Sequence, residues 1–171
     1  MAPVAETSTT YMPRALLVAA IVLLVARAAV WAATTQQESP TSSIHWVPVQ
    51  EFKQGDAAAK GKLILYKFSA AWSDPCQRLE SEILINHKVC DLAKNKFVSV
   101  VVEDRLREDG KNSEQIVDLQ KRYHVFAFPT LVIVDSNGDS KGLLVGCSSS
   151  LSTYRFLARA AQTQTANAVS K

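Results

Sequence analysis

Apolar and polar positions along the chain form a pattern of buried strands separated by amphipathic helices. The runs at residues 62–72 and 97–102 are almost continuously apolar, which predicts central strands covered on both faces. Segments of helical periodicity stand between the early strands, so a partly parallel sheet with helices on both faces is expected. Asn137 and Gly138 form a strong turn signal, which predicts that a β-hairpin closes the sheet.

The remaining segments complete the order β-α-β-α-β-α-β-β-α. The charged stretch at residues 103–111 is predicted to be a solvated loop that is long enough to contact a partner. Asn112, with Gln115 at the spacing of a capping box, is expected to open the helix that follows. The other predicted strands are residues 44–49, 131–135 and 141–145, and the other predicted helices are residues 49–60, 87–95 and 151–161.

The N-terminal part of the chain stands apart from this pattern. Residues 15–26 form an unbroken apolar run, which continues after Arg27 to Ala33. The run has the length of a signal-peptide core, and residues 15–33 are also just long enough for an uncleaved membrane anchor, so both interpretations stay open. The rest of the chain is then expected outside the cytoplasm, membrane-anchored or secreted, and in the periplasm if the source is bacterial. The predicted parts are a signal peptide or anchor at 1–33, a polar linker at 34–43, a folded domain at 44–161 and a flexible tail at 162–171.

Composition limits the classes of protein to which the chain belongs. A length of 171 residues allows one domain with a sizeable core and argues against two. The net charge is only +3, with no basic run interleaved with aromatic residues, so nucleic acid is not an expected partner. Three dispersed cysteines are too few for a disulfide-stapled scaffold. The three histidines have no metal-ligand spacing, and neither a metal nor another cofactor is expected.

A helix is predicted to begin directly after the first central strand. Ser73 has a side chain suited to capping a helix, and Asp74 and Pro75 follow it in the first turn. Cys76 then falls on an apolar stripe of this helix, which predicts that its thiol is buried. Cys90 lies beside apolar residues on a later helix and is predicted to be a packing residue.

Four motifs stand at the ends of these predicted elements. They are FSAAW at 68–72 leading into SDPC at 73–76, YHV at 123–125, FPT at 128–130, and Gly138 with Gly146. With the order of the elements, they resemble the thioredoxin family over residues 44–161, essentially the whole folded part. The resemblance implies an α/β, thioredoxin-like fold. Its central mixed sheet is flanked by helices and ends in a β-hairpin and a C-terminal helix, and the N-terminal hydrophobic segment precedes it.

The resemblance also implies a substrate groove beside the active-site turn. Pro129 holds the position of a proline that is cis in the family and packs against this turn, and Trp72 holds the position that flanks it. In the family, the backbone next to the cis-proline pairs with extended polypeptide. By resemblance, the groove comprises Trp72, Asp74, Pro75, Phe128, Pro129, Thr130, Gly146 and Cys147.

Two positions depart from the family pattern. Family enzymes carry Cys-x-x-Cys at the turn, where the first thiolate attacks a disulfide and the second thiol resolves the mixed disulfide. Here Ser73 holds the first position and Cys76 the second, and a serine hydroxyl does not form a redox-active disulfide. Lys67 stands where the family often has a buried aspartate that serves proton transfer. Both changes point to an altered site.

Two functions therefore stay open. In the first, the domain has a degenerate redox site, retains the groove and binds polypeptide clients, alone or as an accessory within a membrane complex. In the second, it is a thiol–disulfide oxidoreductase or isomerase that acts through Cys76, alone or paired with Cys147, on a client or a membrane redox partner. Burial would leave Cys76 inert, whereas the ammonium group of Lys67, if close, would favour the thiolate.

Overall fold

The computed structural model describes residues 43–146 and 149–169. The predicted signal peptide or anchor, nearly all of the predicted linker, and Cys147 lie outside the described residues. Among the helices that the structure describes, none has the length and apolar character needed to cross a bilayer.

Five strands form one mixed sheet in the order β1-β3-β2-β4-β5. The parallel pairs are β1 with β3 and β3 with β2, whereas β4 runs antiparallel to both β2 and β5. This arrangement confirms the predicted mixed sheet with a closing hairpin. The strands are β1 Val47–Pro48, β2 Leu63–Ala70, β3 Phe97–Asp104, β4 Thr130–Val134 and β5 Ser140–Val145.

Helices connect the strands and cover both faces of the sheet. The helix after β2 changes from α-helical to a π-helical turn, in which the N–H of Leu84 bonds the carbonyl of Leu79 at 2.9 Å. The helices are α1 Gln54–Ala59, α2 Asp74–Arg78 with its π-helical turn Leu79–Ile83, α3 His87–Lys96, α4 Leu106–Asp109, α5 Glu114–Arg122 and α6 Ser150–Val169.

The strand β2 lies at the centre of the sheet and is buried along its whole length. Its alternate side chains enter two separate cores, because successive residues of a strand point to opposite faces. Leu63 and Leu65 pack with the helices that follow β2 and with α6. Ile64 and Phe68 pack with residues of α1 and α5 on the other face. This double burial explains why the sequence of β2 is almost continuously apolar.

The charged stretch at residues 103–111 is more ordered than the predicted loop. The carboxylate of Asp104, which is buried, accepts hydrogen bonds from the backbone N–H of Leu106 and from the amides of Asn112 and Gln120. A short helix, α4, follows, so the prediction of a solvated loop is wrong for this part. The pattern of charges concealed the helix because two of the groups that bind Asp104, the amides of Asn112 and Gln120, lie outside the stretch.

Three helix boundaries also differ from prediction, and the first of these helices, α1, begins at Gln54 rather than at residue 49. Helix α5 is capped by Ser113, whose hydroxyl accepts from the N–H of Ile116 at 3.4 Å, while the Asn112 side chain bonds the end of β3 instead. Helix α6 continues to Val169 rather than ending at Ala161, so the tail expected at 162–171 is largely helical. Residues 162–169 contain neither glycine nor proline to stop the helix, and Gln164 donates to the carbonyl of Gly61 at 3.2 Å.

Because Tyr66 on β2 is buried, the free energy of unfolding should fall at alkaline pH. Burial, with a smaller contribution from Tyr123, raises the pKa of Tyr66 to about 12. The folded state therefore favours the neutral phenol. Its contribution is complete below the unfolded pKa of about 10 and is lost as the pH rises towards 12.

We expect Tyr66→Phe to remove about 2–3 kcal/mol of the fall in unfolding free energy between pH 10 and pH 12, because phenylalanine has no proton to lose. Urea unfolding at stepped pH measures this difference. Tyr154→Phe, on the surface of α6, is the control and should keep the wild-type slope. An identical pH slope in wild type and Tyr66→Phe would contradict the prediction.

Candidate functional site

The turn between β2 and α2 forms the first half of the site. Ser73 is the N-cap of α2, Pro75 lies in the first turn, and the carbonyl of Ser73 accepts the N–H of Cys76 at 2.9 Å. This confirms the predicted helix start. The hydroxyl of Ser73 does not cap the helix; it donates to the carbonyl of Phe128 at 3.4 Å. The Ser73 side chain is buried beneath this contact, so it joins the turn to the loop before β4.

That loop contains the second half of the site. The peptide bond between Phe128 and Pro129 is cis, as predicted. The carbonyl of Pro129 accepts from the N–H of Gly146 at 2.8 Å, which joins the loop to the end of β5. Gly146 has a φ of +83°, a left-handed conformation that favours glycine. Thr130 is buried, and its hydroxyl donates to the carbonyl of Ala127 at 2.7 Å, so it supports the loop from inside.

Aromatic side chains border this junction. The ring of Trp72 is 41% exposed and meets the ring of Phe128 edge to face, with 6.2 Å between ring centroids. The guanidinium carbon of Arg107 lies 3.6 Å from the centroid of the Trp72 ring. Phe126, two residues before Phe128, is 87% exposed. We call the junction formed by Trp72, Ser73, Phe128, Pro129 and Gly146 the cis-proline groove; Ser73 and Pro129 are its buried members.

The structure thus brings together most of the residues that the sequence predicts for the groove. Asp74 and Pro75 are exposed in the first turn of α2, next to Ser73 in the chain. Thr130 lies behind the surface rather than on it. Cys147 follows Gly146 but is outside the described residues, so its pairing with Cys76 stays a prediction.

Both cysteines that the structure describes are buried. Cys76 is only 4% exposed and lies on the same buried stripe as Leu79 and Ile83, as predicted. Cys90 is fully buried and donates its thiol to the carbonyl of Leu84 at 2.8 Å, which fits the predicted packing role. Burial raises the pKa of the Cys90 thiol, so this group is not a nucleophile at neutral pH.

Lys67 is a buried cation on the face of β2 that points towards α2. It is 4% exposed, and its Nζ donates to Oε1 of Glu80 at 2.5 Å. The same ammonium group lies 4.7 Å from the centroid of the Trp46 ring. Glu80 belongs to the π-helical turn, and its side chain is 53% exposed. Lys67 therefore joins the central strand to the helix that carries Cys76.

The predicted influence of Lys67 on Cys76 stays a prediction. Across the described part of the chain, no hydrogen bond links the ammonium group to the sulfur of Cys76, and the charge of Lys67 is compensated by Glu80. Sequence reasoning did not find Glu80, although its position four residues after Cys76 places the two side chains next to each other on the helix. It also missed Arg107, which lies in the stretch predicted to be a solvated loop, and Phe126, which lies between the YHV and FPT motifs.

The same part of the chain contains no group of three or more histidine, cysteine, aspartate or glutamate side chains with the geometry of a metal site. The chemistry available at the described turn is therefore that of a hydroxyl, a buried thiol and backbone amide groups.

Comparison with known proteins places this arrangement in a family. The sequence model of the thioredoxin-like domain matches residues 51–159, well over half of the chain. The chain belongs to the thioredoxin-like domain family. A search of curated protein sequences gives no significant match. The family model spans the turn at Ser73, the cis-proline loop and the first half of α6, so the described site lies within the thioredoxin-like domain.

Solved structures support the same fold. The chain is similar to a DsbH oxidoreductase, with 21% identity and a TM-score of 0.56, covering 72% of this chain and 92% of that one. It is also similar to a thioredoxin from Thermus thermophilus, with 25% identity and a TM-score of 0.56, covering 68% of this chain and 86% of that one. The thioredoxin-like fold is therefore shared, although little of the sequence is.

The Lys67–Glu80 pair gives a test of how the thioredoxin-like domain holds α2. Glu80→Gln should lower the unfolding free energy by about 1–2 kcal/mol, because it removes the counter-charge of a buried ammonium group. Water reaches Glu80 and screens part of the interaction, so the loss is smaller than for a fully buried pair. Lys67→Met should cost less, within about 1 kcal/mol, because it removes the buried charge itself. Urea unfolding measures both variants.

Glu82→Gln is the matched control for this pair. Glu82 lies in the same π-helical turn, but its contact with Arg78 is 3.9 Å and both side chains are exposed. Its loss should change stability by less than about 0.5 kcal/mol. Equal destabilisation by Glu80→Gln and Glu82→Gln would show that the buried pair does not hold α2.

Proposed function

We propose that this thioredoxin-like protein binds extended polypeptide at the cis-proline groove and does not perform the two-cysteine redox cycle. The observation that carries the proposal is the combination of an assembled groove with a serine at its centre. Ser73 contacts the carbonyl of Phe128 beside cis-Pro129, in the position from which the family's nucleophilic cysteine acts. The site therefore keeps the residues proposed to bind polypeptide and lacks the nucleophilic thiol that disulfide exchange requires.

The described residues provide no route for the usual thiol chemistry. Disulfide exchange requires a thiolate that approaches a disulfide sulfur, and a second thiol that resolves the product. The hydroxyl of Ser73 does neither. Cys76 stands at the resolving position and is only 4% exposed, so a client disulfide does not reach its sulfur in this conformation.

The groove has the features needed to pair with an extended chain. Within the part of the chain that the structure describes, the backbone N–H groups of Ala127 and Phe128 have no hydrogen-bond partner. Unpaired backbone groups next to a sheet are used for strand addition by peptides. Phe126 precedes Ala127 in the chain and is exposed. The exposed ring of Trp72 meets that of Phe128, and exposed Val145 pairs with Thr130. Such side chains supply the contact area that binding requires.

The proposed place of action is outside the cytoplasm. The apolar run at residues 15–33 supports membrane targeting, either as a signal peptide or as an anchor. Its polypeptide partner would then be secreted or located at the membrane. The carbonyl and amide groups of its backbone, rather than its cysteines, would be recognised.

The rate at which dithiothreitol reduces a disulfide-bonded model protein, measured with and without this protein, distinguishes a binding function from catalysis. We expect no acceleration by the wild-type protein, and at least about a tenfold acceleration by Ser73→Cys, because this change restores both thiols on an intact scaffold. Cys76→Ser is expected to behave as the wild type. Activity in the wild type that is lost in Cys76→Ser would overturn the proposal in favour of catalysis through Cys76.

Binding of a fluorescein-labelled extended peptide, followed by anisotropy, tests the groove itself. Trp72→Ala should weaken binding by about tenfold or more, because an exposed tryptophan at an interface commonly contributes more than 1 kcal/mol. Tyr154→Ala removes an exposed aromatic ring from α6 and serves as the control, with unchanged affinity expected. Equal affinities of wild type and Trp72→Ala would place the binding site elsewhere.

A further inference from the structure

We propose that the cis-proline groove selects polypeptide segments with an acidic side chain, whose carboxylate binds the guanidinium group of Arg107. This inference rests on the proposed function, because it specifies which polypeptides the groove prefers. It arises from the short helix α4, which the sequence pattern did not reveal.

The guanidinium group of Arg107 is stacked at the mouth of the groove. Its central carbon lies 3.6 Å from the centroid of the Trp72 ring, a distance at which the two planar groups are in van der Waals contact. Stacking occupies a face of the guanidinium plane and leaves its N–H donors at the edge. A planar fork of donors held in this way binds a carboxylate through two parallel hydrogen bonds.

The backbone around Arg107 is held by one buried group and by two exposed contacts. The buried carboxylate of Asp104 accepts from the N–H of Leu106 at 3.2 Å, immediately before Arg107 in the chain. The N–H of Arg105 is bound by the Asn112 side chain at 2.7 Å. The Arg105 side chain forms an ion pair with Asp109 at 2.6 Å, one helical turn further on. These contacts fix the backbone of α4 at the end of β3, and the contact with the ring of Trp72 restrains the guanidinium group of Arg107, which reduces the freedom that it loses on binding.

Arg107 has no counter-charge of its own among the described residues. Two of the neighbouring carboxylates are used elsewhere: Asp104 accepts from backbone and amide groups, and Asp109 pairs with Arg105. No carboxylate of the described chain lies within 4 Å of the Arg107 guanidinium. A cation that is held on an aromatic ring without an ion pair is complementary to an incoming anion.

The acidic residues near the groove oppose the binding of a carboxylate by Arg107, which makes the test of the proposal more stringent. Asp74 lies two residues after Trp72, in the first turn of α2, and Glu108 follows Arg107 on α4; both are exposed. They repel a carboxylate in solution, but neither is stacked on the ring of Trp72. A bound acidic side chain must therefore gain its affinity from the fork of Arg107 and not from a generally positive surface.

The experiment uses the full chain in a neutral detergent and three labelled extended peptides. The peptides are identical except for a central glutamate, glutamine or lysine, and anisotropy gives the affinity of each. The wild-type protein should bind the glutamate peptide about fivefold more tightly than the glutamine peptide, a ratio that corresponds to about 1 kcal/mol. The ratio should fall towards one as NaCl is raised from about 0.05 to about 0.5 M.

Arg107→Gln should bring the glutamate-to-glutamine ratio to about one. This ratio compares two peptides on the same variant, so it does not depend on the overall affinity of that variant. Arg107→Glu should reverse the preference in favour of the lysine peptide. Arg155→Gln removes the same charge from the exposed surface of α6, and should keep the wild-type ratio.

Each outcome bears on one of the two proposals. Equal binding of all three peptides by the wild type overturns the acidic preference and leaves the groove as a polypeptide site. A preference that persists in Arg107→Gln overturns the role of Arg107. Failure of the wild type to bind any of the peptides overturns both the proposed function and the preference built on it.

Discussion

The burial of β2 on both faces is the constraint on which the rest of the structure depends. Because neither face meets water, alternate residues of this strand enter different cores, and its neighbours β3 and β4 are fixed in register on either side. The pairing of Phe68 with Thr130 brings the start of β4 next to the end of β2. The turn at Ser73 and the cis-proline loop therefore meet because two strands pair, and no long-range side-chain contact is needed to bring them together.

The same constraint makes Lys67 an unusual residue. An isolated ammonium group in the interior is far too costly to retain its charge, so it must find a partner or lose its proton. Glu80 meets this need from a helix that water still reaches on one side. The ring of Trp46 covers the cation from another direction. The strand and α2 are consequently joined by an ion pair. By the family resemblance, an acid often holds the position of Lys67. The buried charge beneath the site is therefore positive here, and Glu80 compensates it.

Local signals explain which parts of the structure could be predicted from the sequence. The double burial of β2, the helix start at Ser73 and the turn at Asn137 each follow from a few adjacent residues. The cis bond before Pro129 came from the family resemblance. Lys67 with Glu80 and Arg107 with Trp72 were not foreseen, because each pair joins elements whose relative position is known only after the chain folds. The end of α6 was missed because polar residues continue a helix as readily as they end one.

The burial of Cys76 and Cys90 has a consequence for the environment in which the protein works. Oxidation of a cysteine, whether to a sulfenic acid or to a mixed disulfide, needs an accessible thiolate, and neither group is accessible in this fold. A two-cysteine site changes its chemical form when its surroundings become more oxidising, whereas Ser73 does not. In the proposed binding function, the contribution of the described groove residues to client affinity is therefore independent of the ambient redox potential.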